Sequence, residues 1–253
     1  MALCSTGSDP RNGVIRMTAW IAAVNVAMFI VLNIVARFMP DDTPANLLFL
    51  SAGKMLSKPW SVVTYSFCHV APLHLLLNMI VLVAIGYVAD RMRITIMSAS
   101  RLLIIYLTAG AVAGIVFDIA GSNGSNLIGA SAAVMGVTAA FGMAMGKRKI
   151  ELPFPGPVSL SALIFILLTI SIASTIAINP GATIVHLSGI IAGTATMSLF
   201  MLADRRQRSR CSKADRRVDQ ISLKMKTSGF ASLSDDERKI ILNHSFISSR
   251  NNE

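Results

Sequence analysis

Long apolar runs broken by short polar clusters organise this chain. Residues 102–146 hold one charge, Asp118, and residues 152–203 hold none. Each run is long enough for two helical passes of about 20 residues with a turn between them. Extending the pattern along the chain predicts six spans, at about 15–38, 73–92, 101–120, 127–146, 157–178 and 182–203. The breaks read MPDDTP, ADRMRIT, AGSNGSN, GKRKIELPFPG and INPG. Gly, Pro, Asn and Ser dominate them, as turns require. No internal repeat is visible. The expected fold is therefore all-α: a polytopic membrane protein with a six-helix transmembrane bundle and a short helical tail. Residues 1–14 form the N-terminal segment, 15–203 the six-span domain and 204–253 the basic C-terminal tail.

Composition agrees. The chain is 53% hydrophobic and 14% charged, with mean hydropathy +0.62. Ordinary soluble domains carry about 25% charged residues, so a soluble globule is excluded. The first thirteen residues are polar and lack the apolar core of a signal peptide. The first span is expected to act as an uncleaved insertion signal. Cys4, Cys68 and Cys211 are scattered and odd in number, and imply neither a disulfide framework nor a metal site.

The net charge of +10 would suggest nucleic acid in a soluble protein. Here it reads as orientation instead. The N-terminus, the loops after spans 2 and 4, and the tail together hold 20 of the 23 Lys and Arg residues. The opposite side holds Arg37, Lys54 and Lys58. Basic loops stay in the cytoplasm, so both termini are expected there, and no nucleic-acid partner is expected. The connection at roughly 39–72 is longer than the others and is rich in apolar residues. Trp60 and Tyr65 are of the kind that settle at membrane interfaces. It is expected to be a folded element lying partly in the outer leaflet. In the tail, the run ADRRQRSRCSKADRR suits anionic lipid. A helix is expected near 214–227, ending at Gly229, and a second starts at the capping box Ser234–Glu237.

The candidate chemistry lies at one level of the bundle. Ser131 follows the break GSNGSN by five residues, and His186 follows Asn179-Pro180-Gly181 by five. At 1.5 Å rise per residue each would sit roughly 8 Å inside its span. An ionisable side chain inside a membrane is a functional-site hypothesis by default, and a serine at the same depth suggests a nucleophile with its base. His69, His74 and Asn78 belong to the same outer level, with His74 and Asn78 on one helix face. Separate interhelical hydrogen bonds would explain Ser131 alone, but they explain the set of five less well. Attack on an amide creates an oxyanion that needs donors. Asn78, His74 and the Ser131 amide are the candidates. Gly189 and Gly193 follow His186 on roughly its own face and allow close packing on the Gly129–Gly136 face of span 4.

These motifs resemble the rhomboid family of intramembrane serine proteases over roughly residues 15–203. The match rests on His69-x4-His74-x3-Asn78, Gly129-x-Ser131, and His186-x-x-Gly189-x-x-x-Gly193, with Trp60 in the first loop. The resemblance implies a rhomboid-like bundle and a catalytic dyad of Ser131 and His186. It places His74 and Asn78 near the oxyanion and gives His69 a structural role. It also implies cleavage of single-pass membrane proteins near the outer face, with no cofactor and no metal. The location it suggests is the inner (cell) membrane of a bacterium. Three positions depart from the family pattern. Ala132 replaces a glycine, Met135 stands where an aromatic residue often packs on the histidine, and Ser61 follows the loop tryptophan where arginine is common. Met135 can fill the aromatic site as a softer contact.

Other classes fit less well. A transporter would show paired intramembrane carboxylates or an inverted repeat. A zinc hydrolase would show H-E-x-x-H. An aspartyl protease would need aspartates deep in two spans. An inactive rhomboid-like protein that binds membrane proteins is the remaining alternative, and both reacting residues are present.

Overall fold

The computed structural model describes residues 13–38, 47–122, 124–146, 148–151, 157–178 and 180–250. Two compact units divide the described residues: 13–199 and 200–250. The larger unit begins with α1 (Gly13–Phe38). Its next elements are β1 (Leu50–Ser51), the short helix α2 (Ser61–Thr64) and a 3₁₀ turn at Tyr65–Phe67. The helices α3 (Pro72–Arg91) and α4 (Ala99–Ala120) are followed by β2 (Asn126–Leu127) and α5 (Ser131–Met145). A small antiparallel pair, β3 (Lys149–Glu151) and β4 (Pro157–Ser159), leads to α6 (Leu160–Ile178). The last long helix is α7 (Pro180–Ser228).

Four helices among the described residues are long and apolar enough to cross a membrane: Gly13–Phe38, Pro72–Arg91, Ala99–Ala120 and Gly181–Ser228. The chain is thus an all-α, multi-pass integral membrane protein. The helix expected over 127–146 is shorter. It starts at Ser131, because Asn126 and Leu127 pair as β2 with Ser51 and Leu50 of β1. At 1.5 Å per residue, its 15 residues rise only about 22 Å. Ser131 therefore opens its helix and does not lie five residues inside one. The small residues of α5 leave most of it buried, from Ala132 and Gly136 to Ala140 and Met145, with the Ser131–Met135–Thr138 face half-buried. A helix that is apolar all round belongs in a core.

Carboxylates at helix ends tie the bundle together. Asp90, at the end of α3, accepts the Val14 and Ile15 amides at 3.3 and 3.0 Å and caps the start of α1. Asp118, near the end of α4, accepts the Met55 amide at 3.0 Å, and its carbonyl accepts the Gly53 amide. The long first connection is folded over residues 47–71. Trp60 donates from its indole nitrogen to the Leu47 carbonyl, and Thr64 donates to Leu48. Residues 39–46 of that connection lie outside the described residues.

The smaller unit carries the end of α7, a 3₁₀ turn (Phe230–Ser232) and α8 (Asp235–Arg250). The helix expected at 214–227 is one part of the unbroken α7. Residues 194–228 contain neither Gly nor Pro, and the basic run is made of good helix formers. Gly229 ends it with φ 81°. The capping box closes both ways: the Glu237 amide donates to the Ser234 hydroxyl, and the Ser234 amide donates to the Glu237 carboxylate at 2.8 Å. Lys224 adds an ion pair to the same carboxylate. Cys68 is a free buried thiol.

Candidate active site

Ser131 and His186 meet. The serine Oγ lies 2.9 Å from His186 Nε2, although the residues are 55 positions apart in the chain. The approach depends on the absence of side chains between α5 and α7. A Cβ on Gly189 would collide with the carbonyl oxygen of Ala132, and one on Gly193 with that of Gly136. A Cβ on Gly136 would strike Ala109 and, at 2.6 Å, the Gly189 carbonyl. The two backbones therefore touch directly, as small residues permit. Gly189 is one turn beyond His186 and faces the residue after Ser131, so this contact sets the distance between Ser131 Oγ and His186 Nε2. Met135 is half-buried and lies one turn beyond Ser131, on its face of α5.

The backbone before Ser131 is fixed by the first loop. Gly129 has φ +117°, a region that L side chains rarely adopt, and a Cβ there would lie 2.9 Å from the His74 ring. Only glycine suits both conditions. The Gly129 amide donates to the Tyr65 carbonyl at 3.1 Å. The Ala130 amide donates to His69 Nε2 at 3.3 Å. No side chain caps α5, and the first amides of a helix have no partner within it. These amides, Ser131's among them, carry the positive end of the helix dipole.

The other polar residues cluster around this backbone. The His69 and His74 rings meet edge to face with centroids 5.4 Å apart. Asn78 Nδ2 donates to the His74 carbonyl at 3.0 Å and approaches His69 Nε2 at 3.4 Å. Two donors thus converge on His69 Nε2, which must be unprotonated, and the ring proton resides on Nδ1. Burial, with His74 nearby, pushes the His69 pKa down to about 4, so the ring is neutral. Next to it, burial pushes the Cys68 thiol up to about 12, making it an unreactive filler. The five polar residues singled out in the sequence are thus together, but in two groups. Ser131 and His186 pair with each other, while His69, His74 and Asn78 surround residues 129–130. Asn78 spends its amide hydrogens inside the second group.

Sequence reasoning missed Tyr106 and Asn25 as buried supports of the site, and it expected Tyr65 at the membrane interface, whereas Tyr65 is fully buried. Tyr65 donates to the Gly110 carbonyl at 2.8 Å, and Tyr106 donates to the Ser66 carbonyl at 2.8 Å. Asn25 reaches the Tyr106 oxygen at 3.5 Å. A tyrosine and an asparagine inside predicted spans were the available signal. A cleft of about 320 Å³ opens between the end of α4, residues 125–127 and the start of α7, lined by Phe117, Ser125, Asn126, Leu127, Gly181 and Ile184 among others, and neither Ser131 nor His186 is part of its lining. Among the described residues no group of His, Cys, Asp or Glu could hold a metal ion.

A helical membrane protein with a serine hydroxyl against an imidazole, at the mouth of a buried helix, defines the class of this molecule. The comparison with known families makes it specific: the model of the Rhomboid domain matches residues 56–203. That is more than half of the chain, which belongs to the rhomboid family, generally serine proteases that act within membranes. No curated protein matches it.

Proposed function

We propose that this protein is an intramembrane serine endopeptidase with a dyad of Ser131 and His186. The reading rests on one observation above all: the 2.9 Å approach of Ser131 Oγ to His186 Nε2 at the uncapped start of α5. A serine hydroxyl is a weak nucleophile until an adjacent base takes its proton. His186 Nε2 accepts that proton as Oγ attacks the substrate carbonyl. The carbonyl oxygen becomes an oxyanion beside the Ser131 amide, where the helix end stabilises negative charge. Asn78 contributes by exchanging its long contact to His69 for the oxyanion, and His74 lines the same space. His186 then returns the proton to the leaving amine. In the second half-reaction it deprotonates the water that attacks the acyl carbonyl and passes that proton to Ser131 Oγ as the serine leaves.

The substrates on this reading are single-pass membrane proteins, cut near the outer face with both termini of the enzyme in the cytoplasm. The distribution of basic residues supports that orientation. A substrate helix must unwind before its amides can react, because they are already hydrogen-bonded and shielded. Substrates with Gly or Pro near the outer end of their span are therefore favoured, since Gly weakens a helix by roughly 1 kcal/mol relative to Ala.

The decisive experiment combines fluorophosphonate labelling with cleavage of a model single-pass substrate in proteoliposomes. The parent should label and cleave, while Ser131→Ala does neither and His186→Ala loses cleavage. Cleavage by Ser131→Ala protein at the parental rate would overturn the assignment. Replacing the outer-end Gly or Pro of the substrate with Leu should slow cleavage; equal rates would remove helix instability as the selector.

A further inference from the structure

The two amides before Ser131 are both held by residues 65–69: Gly129 by the Tyr65 carbonyl, and Ala130 by His69 Nε2. That short segment has no long helix of its own. It consists of the 3₁₀ turn Tyr65–Phe67 and the two residues after it. What holds it is a pair of phenols. The Tyr65 hydroxyl reaches across to the Gly110 carbonyl of α4, and the Tyr106 hydroxyl of α4 reaches back to the Ser66 carbonyl, each at 2.8 Å. Both tyrosines are fully buried. Their seat on α4 is shaped for them. A Cβ on Gly114 would lie 3.0 Å from the Tyr65 ring, and one on Gly110 would lie 3.5 Å from Ser66. In apolar surroundings these bonds are not exchanged for water, so deleting either hydroxyl loses the cross-link with nothing to replace it.

We propose that Tyr65 and Tyr106 are positioning residues for the serine. Their crossed hydrogen bonds brace the 65–69 turn against α4, and that turn holds the 129–130 backbone on which the Ser131 amide and hydroxyl depend. This rests on the proteolytic reading of the site. Neither phenol touches the reacting atoms, and their effect passes through the backbone. Errors of about 1 Å at a reacting centre cost on the order of 100-fold in rate. Loosening the brace therefore lowers turnover without removing any substrate contact.

The test is the steady-state kinetics of Tyr65→Phe and Tyr106→Phe on a single-pass model substrate in proteoliposomes, with Ser131→Ala and Tyr87→Phe alongside. Phenylalanine keeps the ring and deletes only the hydroxyl, while Tyr87 is an exposed tyrosine on α3. Tyr65→Phe and Tyr106→Phe should each lower kcat about 10-fold or more, a fraction of the full misplacement penalty, with KM within about twofold. Fluorophosphonate labelling should slow in parallel, and Tyr87→Phe should match the parent. If both variants melt earlier yet keep the parental kcat, the phenols serve stability alone and the proposal is overturned. A rise in KM at constant kcat overturns it equally. Cleavage surviving in Ser131→Ala would overturn the proteolytic reading and this inference with it. An inactive Ser131→Ala beside fully active Tyr65→Phe and Tyr106→Phe would overturn this inference alone.

Discussion

Gly189→Ala is the sharpest test of how the fold sets the distance between Ser131 and His186. The added Cβ would collide with the Ala132 carbonyl oxygen and lie 2.9 Å from the carbonyl carbon. Both are backbone atoms of a buried helix, so neither can rotate away. Relief requires α7 to move off α5 by about 1 Å, the gap between such a contact and an ordinary one near 3.5–4.0 Å. Overpacking of this kind typically costs about 1–3 kcal/mol in stability. The catalytic effect should be larger. His186 lies one turn before Gly189, so the same displacement stretches the 2.9 Å approach of Nε2 to Ser131 Oγ beyond hydrogen-bond reach. A misplacement of about 1 Å can cost on the order of 100-fold. The assay is kcat on the model substrate together with the melting temperature in one detergent. Gly193→Ala, which meets Gly136 one turn further on, is the comparison: similar destabilisation, smaller loss of turnover. Parental turnover in Gly189→Ala would refute the argument that this contact sets the Ser131–His186 distance.

Three further outcomes follow from the structure. His69 has its pKa pushed down to about 4 against an ordinary value of about 6.5, so between these the unfolded chain binds more protons than the folded one. Its contribution to stability is complete above about pH 6.5 and is lost as the pH falls toward 4. The parent should lose more melting temperature than His69→Gln between about pH 7.5 and pH 4.5, and equal losses would refute the neutral, acceptor role of Nε2. Ser234→Ala removes one side of the capping box and should destabilise the tail helix by about 1 kcal/mol, read by hydrogen exchange, with cleavage unchanged. Single cysteines introduced at Ser122 and Gly181 should react with an impermeant reagent from outside and one at Arg148 only from inside; the reverse pattern would overturn the orientation.

That this is a helical membrane protein was legible in the chain alone, because uncharged runs of such length have no other stable home. It also singled out Ser131 and His186, which stand out chemically among apolar neighbours and which the fold brings together. Turn chemistry located the helix ends at Gly229 and at Ser234, where the signals are local. Where α5 begins was set by long-range pairing instead. The β1–β2 pairing joins residues more than seventy positions apart, and no local pattern at 126–130 announces a strand in place of a helix turn. The 2.9 Å approach was equally invisible, because it depends on glycines of two helices facing each other. The spacing of Gly189 and Gly193 showed a small-residue face but not its partner. The phenol brace lay hidden for the same reason. Tyr65 and Tyr106 are ordinary membrane-protein residues until folding turns their hydroxyls toward each other's segment and away from lipid.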